Sequence, residues 1–596
     1  MVKVRSGLPA ILIIFSVSVL VRLILLLELK GTVYFAAPIM DSAIYHNAAS
    51  YFSSHGRFDG TLFMMSPAYK VFLAGLYSVA GPSPTAVYAV QILLGSFSAV
   101  LLYSIADRLF NRTTAIIACV LYLLYGGLSV YNLMLLPLTL IVFLNLAVIL
   151  ALLAARENGS GFLYVLAGVA FALSVMARPN VLLFLVFLVP WFYSGPGDGR
   201  TRTLNLAVFA LGLMLALLPF SLHRHRTEGQ LSPLTSSMGI NLHLGNNPDA
   251  DGIQYIPSPE LNSPDKIFEY ARTAAESETG RDMDPQALSN FWMKRALGFI
   301  FSRPGQSIPL FIRKFRLFWN DHEVSNNYNY YFLREALPAL KLMFASFALL
   351  GALGLVGMAT AIRRYRDLLL IYGIVLTYNI VLVAFFVLSR YRMPAVPFLI
   401  LFASRAAYGI ISERRHLKAA IMAAVFAVLF LLLNTNIIEQ DFSTAYVNEG
   451  ILYLEKGDHL RAEESFGAAI EADPGDATAY YNLAVTNLDL KKYAPAEENL
   501  KEALRLEPRY HKALNGLAAL YTRTERYPEA EDLFLRVLHL NPRDVDAMNN
   551  LGVLYGKMGD YSKAERLFQS VLAIDPDNRA ALDNLEYLDR LIRGAP

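Results

Sequence analysis

The carboxylates of this chain that sit near a membrane boundary among aromatic and apolar neighbours are few. They are Glu28, Asp41 and Asp59 in one polar segment and Asp321 and Glu323 in another, and they are the candidates for acid–base chemistry. Residues 38–52, PIMDSAIYHNAASYF, place Ile44, Tyr45, Ala48, Ala49 and Phe52 on one face of a short amphipathic helix expected to lie on the membrane. Asp41 stands at its start. Asp-Ser ahead of an apolar-periodic run reads first as a helix N-cap, and a catalytic role is compatible with capping. Tyr45, one turn on, either orients an acceptor hydroxyl or packs. His223 and His225 flank Arg224, but no third ligand stands nearby in sequence, so no metal site is assigned. NNPDADG at 246–252 lacks the EF-hand spacing and its late Glu, and reads as a tight turn.

The elements that must position these residues are mostly membrane helices. Apolar segments long enough to cross about 30 Å of hydrocarbon fall near 8–27, 84–106, 113–131, 137–155, 161–177, 180–194, 204–222, 338–361, 367–388, 394–411 and 418–435, about eleven spans. The first is long, carries Arg22 near its far end and is followed by Glu28-Leu29-Lys30, so it reads as a retained anchor. Arg22 is expected to snorkel to the headgroups. The stretch 68–80 is too short to cross and is expected to lean on the bilayer surface or re-enter it. With Lys3 and Arg5 cytoplasmic, alternation puts Arg108, Arg112, Arg156, Arg200, Arg202, Arg363, Arg364, Arg366, Arg414, Arg415 and Lys418 on the same side. The long segments 28–83 and 223–337 and everything beyond the last span then lie outside. An integral protein of the plasma or inner membrane, with its chemistry on the extracytoplasmic face, follows.

Charge separates two parts. Residues 1–436 hold 34 Lys+Arg and 21 Asp+Glu, a balance of +13, and residues 437–596 hold 18 and 28, a balance of −10. No Lys/Arg cluster with interleaved aromatics suggests nucleic acid as a partner. The single cysteine, Cys119, excludes an intrachain disulfide and a Cys-based metal site. The 21 acids of the membrane part sit in loops or at span edges, so the bundle interior lacks the carboxylate relay of a proton-coupled transporter.

The second part repeats every 34 residues. Asp473-Pro474, Glu507-Pro508, Asn541-Pro542 and Asp575-Pro576 recur at that period, as do Ala462, Ala496, Ala530 and Ala564, with Phe466, Leu500, Phe534 and Phe568 four positions later. This is the tetratricopeptide period. Four helical hairpins are expected near 443–476, 477–510, 511–544 and 545–578, with a capping helix at 579–593. The fold class is therefore all-α: a polytopic membrane bundle over 1–436 followed by an α-solenoid over 437–596, whose groove suits a protein partner.

The order of VRLILLL at the end of the first span, MDSAIYHNAASYFSSHGRF, MSPAYKVFLAGLYSVAG, VMARPN after the fifth span, SSMGINLHLGNNPDADG outside and SRYRMPAVPFLILFA late in the membrane part resembles the C-type (GT-C) integral-membrane glycosyltransferases. Within them it is most similar to family 39, the protein-mannosyltransferase and aminoarabinose-transferase relatives. The layout of multispan domain plus repeats is similar to that of TMTC-type O-mannosyltransferases. The resemblance implies inverting transfer of a sugar from a polyprenyl-phosphate donor to an acceptor hydroxyl, on a protein or a glycan, at the extracytoplasmic surface. Asp41 matches the first-loop acid of the family and would act as general base. A departing lipid phosphate needs cationic donors, for which Arg178, Arg224, Arg226, Arg390 and Arg392 are available. Arg390 and Arg392 in particular break the positive-inside pattern.

One departure stands out. Relatives carry a Glu in a context like LLPETL between the third and fourth spans, whereas this chain reads LLPLTL with Leu138 there. A second carboxylate from that loop is absent; either Glu323 takes over a polar, substrate-binding role or the site works with one acid, and the need for a divalent metal stays open. Two other readings remain: an O-antigen-type polymerase or ligase acting on lipid-linked oligosaccharide, and a non-enzymatic membrane-anchored repeat scaffold.

Overall fold

The computed structural model describes residues 8–35, 38–58, 60–254, 264–325, 328–438 and 442–593. Lys3, Arg5 and Asp59, named above, lie outside the described residues. Helices and turns make up all of the described structure, with no strand among the described residues. The chain forms two compact units with the boundary at residues 439–440.

The first unit opens with α1 (Leu8–Lys30), the two short helices α2 (Asp41–His55) and α3 (Pro67–Ala80), then α4 (Pro84–Leu109), α5 (Arg112–Leu124), α6 (Gly126–Val130), α7 (Leu138–Asn158), α8 (Gly161–Ala177), α9 (Leu185–Tyr193) and α10 (Gly199–Glu228). A segment of short helices follows: α11 (Met238–Gly245), α12 (Pro264–Thr279), α13 (Pro285–Ser302), α14 (Pro304–Trp319), α15 (Tyr330–Ala336) and α16 (Pro338–Lys341). The unit closes with α17 (Phe347–Ala361), α18 (Leu369–Ala384), α19 (Ser389–Arg392), α20 (Val396–Ser412) and α21 (His416–Leu433).

Among the described residues seven helices are long and apolar enough to cross a membrane, and α5 with its continuation to Leu133, bent by 65°, makes an eighth. Gly161–Ala177, Pro179–Tyr193 and Leu369–Ala384 are apolar but shorter. Local chemistry sets several starts: Ser83, Asn111, Asp198 and Ser346 accept backbone N–H bonds as N-caps of α4, α5, α10 and α17. The expected segment 338–361 differs from the structure. Pro338 starts only the one-turn α16, and the long helix begins at Phe347, where Asp321 Oδ1 accepts the Ala348 N–H at 2.5 Å.

Small residues bring backbones together inside the bundle. A Cβ on Gly168 would lie 2.1 Å from the Phe209 carbonyl oxygen, and one on Gly212 would lie 2.1 Å from that of Val165, so α8 and α10 touch backbone to backbone. Gly357 meets the Phe402 carbonyl of α20 in the same way, at 2.0 Å. Buried amides replace the missing carboxylates as polar ties. Asn145 donates to the Tyr378 hydroxyl at 3.0 Å and accepts from Ser174 at 2.7 Å, joining α7, α18 and α8.

Burial redraws the membrane-side expectations. Arg22 does not snorkel: it is fully buried and its guanidinium is taken up within the protein, donating through Nε to Asn132 Oδ1 and through Nη1 to Ser18 Oγ at 2.6 Å. One face of α3, with Ala68, Tyr69, Lys70, Leu73, Ala74 and Tyr77, is buried against neighbouring helices, while Val71 and Val79 on the other are exposed. The apolar face of α2, with Tyr45, Ala48 and Ala49 buried, packs on α3 rather than on lipid.

The second unit consists of four helical hairpins, α22 (Ser443–Glu455) with α23 (His459–Ala472), α24 (Ala477–Asp489) with α25 (Tyr493–Leu506), α26 (His511–Arg523) with α27 (Tyr527–Leu540), and α28 (Val545–Lys557) with α29 (Tyr561–Ile574), followed by α30 (Arg579–Arg593). Ala462, Ala496, Ala530 and Ala564 are fully buried, and Phe466, Leu500, Phe534 and Phe568 fill the seams. Gly450 and Gly552 stand where a Cβ would lie 2.5 and 2.6 Å from the Phe466 and Phe568 rings.

Replacing Gly168 by Ala forces a methyl group against backbone that has no rotamer to yield, and is expected to cost about 1–3 kcal/mol. Thermal unfolding in detergent should show a clear loss for Gly168→Ala and none for Gly199→Ala, whose Cβ meets open space.

Candidate active site

A cavity of about 700 Å³ opens in the first unit. Its charged lining is Asp41 of α2, Arg178 at the end of α8 and Arg390 of α19, and its hydrogen-bonding lining includes Tyr45, Ser66, Tyr391, Asn180, Thr235, Ser237 and Asn241. The rest of the wall is largely apolar, with Leu182, Leu183, Val186, Ile380, Leu382 and Phe385.

Each of the charged side chains is delivered by a break in a helix. α2 begins at Asp41 behind Met40, whose φ of 48° is in the left-handed region that non-glycine residues seldom occupy. Met40, not Asp41, is the cap residue, and no side chain caps the helix. Asp41 instead turns its carboxylate to Arg390, whose Nη1 donates to Oδ2 at 2.5 Å. Ser66, at φ 40°, is a second strained position; it accepts the Tyr45 hydroxyl at 3.1 Å and donates to the Ala177 carbonyl at 2.9 Å, tying α2 to the end of α8. Burial, with the Asp41 carboxylate nearby, pushes the Tyr45 phenol up, so it stays neutral and donates. α8 stops at Arg178 because Pro179 follows, holding Arg178 extended at φ −155°.

The cations are unequally engaged. Arg390 also donates to the Tyr391 hydroxyl at 2.9 Å, with its guanidinium carbon 4.8 Å from the Tyr391 ring centre. The Arg178 guanidinium lies 3.8 Å from the same ring centre, and among the described residues it has no ion pair and no hydrogen bond. A cation facing a cavity with no acid of its own is suited to an anion that arrives with a ligand.

Other sequence candidates lie elsewhere. Glu323 and Arg392 form a buried pair, Oε2 to Nη2 at 3.0 Å; Tyr125 donates to Glu323, and Arg392 donates to the Phe318, Asn320 and His322 carbonyls. Neither lines the cavity. Arg224 is buried and donates to Glu228, to the Ser232 and Leu234 carbonyls and to Ser236, fixing a loop of which Leu234 and Thr235 form part of the cavity wall. Arg226, His223 and His225 are exposed. Glu28 accepts the Ala339 N–H and Asp321 that of Ala348, so both hold helix starts. Among the described residues Asp41 is thus the one named acid that lines the cavity. Leu138, standing where a carboxylate was sought, lines it as well. Among the described residues no cluster of three His, Cys, Asp or Glu suits a metal ion.

Residues that sequence reasoning passed over complete the site. Tyr391 sits inside the SRYRMP motif but carried no signal beyond being aromatic between two arginines, and Ser66 carried only its place before a proline. Asn246 of the expected turn is buried, donates to the Ala384 carbonyl at 2.9 Å, and accepts from the buried Lys314 of α14 at 2.8 Å. That chain of contacts holds the α18 end of the cavity wall.

Residues 65–223, covering α3 to most of α10, match the family model of dolichyl-phosphate-mannose-protein mannosyltransferases. Residues 447–498 and 510–577 match two tetratricopeptide repeat families. The mannosyltransferase match lies in the first unit and the repeat matches in the second; Ser66 and Arg178 fall inside the first matched segment, Asp41 and Arg390 outside it. No curated protein matches the chain. Solved structures with likeness to it include YrrB, a tetratricopeptide protein with an unusual peptide-binding site, at 22% identity over 30% of this chain and 89% of that one with a TM-score of 0.23. PilF of Pseudomonas aeruginosa is 25% identical over 26% of this chain and 69% of that one, TM-score 0.24. A thermophilic tetratricopeptide protein of Thermus thermophilus is 26% identical over 26% and 83%, TM-score 0.24.

Burial lowers Lys314 from its ordinary 10.5 to about 7. Between those values the unfolded chain binds the extra proton and the folded chain does not, so this group makes stability rise with pH across that window. The thermal midpoint in detergent is expected to rise less from pH 7 to 9 in Lys314→Met than in the unaltered protein.

Proposed function

We propose that the protein moves a sugar from a polyprenyl-phosphate carrier to an acceptor hydroxyl at the extracytoplasmic surface, inverting the anomeric carbon, with Asp41 as general base. The observation that carries this reading is one carboxylate and a cation without an acid partner on the wall of a largely apolar cavity. The match of residues 65–223 to a mannosyltransferase family supports the same chemistry.

In this reading the apolar wall receives prenyl units and Arg178 meets the phosphate. Asp41 has one oxygen on Arg390, while Oδ1 takes the proton of the acceptor hydroxyl. The acceptor oxygen bonds to the anomeric carbon as its bond to the phosphate oxygen breaks, and the electron pair leaves on the carrier phosphate, where Arg178 offsets the growing charge. Arg390 acts on the base by orienting the carboxylate. Tyr45 and Ser66 fix α2 against α8, so that base and phosphate cation keep their separation. Leu138 on the same wall leaves the mechanism with a single carboxylate. Arg224, Glu323 and Arg392 hold the scaffold around the cavity.

The test is transfer by purified protein in nanodiscs from a panel of radiolabelled polyprenyl-phosphate sugars. Asp41→Asn is expected to lose about 10²–10⁴ in rate with the sample still folded by thermal unfolding. Arg178→Ala should chiefly raise KM for the donor. Near-normal turnover in Asp41→Asn removes the base assignment, and no turnover with any lipid-phosphate sugar favours a lipid-linked oligosaccharide or a scaffold.

The repeat unit, with its charge balance of −10, is assigned to recruiting or positioning a protein acceptor. Deleting residues 441–596 should leave donor hydrolysis intact and impair transfer to the native acceptor; undiminished transfer would remove the recruiting role.

A further inference from the structure

Helix α14 carries two faces. Ser307, Leu310, Lys314 and Leu317 are buried, whereas Ile308, Ile312 and Phe315, at i, i+4 and i+7, form an exposed apolar stripe on the other side. Arg313 and Arg316 directly follow Ile312 and Phe315 in sequence and are exposed along one flank of the stripe, and Arg303 is exposed just ahead of the helix. Among the described residues these three arginines have no ion pair. An exposed apolar stripe bordered by unpaired cations is the pattern of a helix lying in a headgroup layer.

The helix end fixes its level. Asn320, next after α14, donates to the Leu433 and Thr435 carbonyls at 3.0 and 2.7 Å, at the end of α21, and Asp321 accepts at the start of α17. Both α17 and α21 are among the helices apolar enough to cross a membrane, and along α21 Met422 is the one buried residue, so the helix presents its apolar side chains outward. α14 therefore ends level with the end of α21 and the start of α17, two helices apolar enough to cross a membrane.

We propose that α14 lies in the anionic headgroup layer of the bilayer, with Ile308, Ile312 and Phe315 inserted and Arg303, Arg313 and Arg316 on lipid phosphates. Acidic lipid is preferred over neutral lipid because the cations have no acid of their own. Each cation near such a surface adds to the attraction, and the arginine stems carry the charge to headgroup height.

The experiment uses the full chain with Cys119→Ala and a bimane label at Ile312→Cys or, on the polar flank, at Gln306→Cys, in nanodiscs containing phosphatidylglycerol. The Ile312 label is expected to be quenched several-fold more by a spin-labelled lipid than by aqueous iodide, and the Gln306 label the reverse. Iodide dominating at Ile312 would overturn the proposal, and so would protection from both quenchers, which would mean that protein, the repeat unit or a second copy, covers the stripe. Arg313→Glu combined with Arg316→Glu should abolish the difference in lipid quenching between phosphatidylglycerol and phosphatidylcholine discs. If that difference persists, the arginines do not recognise the headgroups.

Discussion

The ion pair between Asp41 and Arg390 is the contact on which the architecture of the cavity turns. It joins residues 349 positions apart and draws the short helix after the first span onto the loop between two late spans. A buried pair of this kind gains little net stability, because desolvation opposes the Coulomb attraction, but removing one partner strands a charge. Its value lies in geometry: it sets where the carboxylate stands relative to Arg178 and Tyr391. The strained backbone at Met40 and Ser66 is consistent with a site held by surrounding structure rather than by local preference.

The rest of the polar chemistry in the first unit divides between holding the wall and facing the cavity. Arg224 fixes one loop, Lys314 and Asn246 fix another, and Glu323 with Arg392 fills the space behind α19. These contacts are made by buried cationic side chains, so each one restrains a segment that would otherwise have no regular structure to hold it. The cavity is thus framed by irregular chain made rigid by buried cations, and the membrane helices supply mainly the apolar wall and the spacing.

Much of the fold was legible in the sequence because its signals are periodic. A 34-residue repeat with small, large and proline positions in register specifies helical hairpins, and apolar runs specify membrane helices, as α1, α7 and α21 illustrate. The site was legible only in part. Asp41, Tyr45, Arg178 and Arg390 were all named, yet nothing in their local sequence distinguished them from Arg224, Glu323 or Arg392, since every one is a charged or polar residue at a span edge. What separates them is which partner reaches them first, and partners such as Phe318, Leu234 or Ser66 come from elsewhere in the chain. Arg22 was misread for the same reason: snorkelling was inferred from its own helix, while its acceptor, Asn132, belongs to a different one.

The long reach of the Asp41–Arg390 contact has a consequence for biosynthesis. At about 5–20 residues per second, the ribosome makes Asp41 roughly 20–70 s before Arg390. During that interval the first loop has a carboxylate and no counter-ion, and the cavity lacks one wall. A chain interrupted just short of Arg390 has made most of its long apolar helices and still lacks this contact, so the cavity is complete only when the last helices are in place.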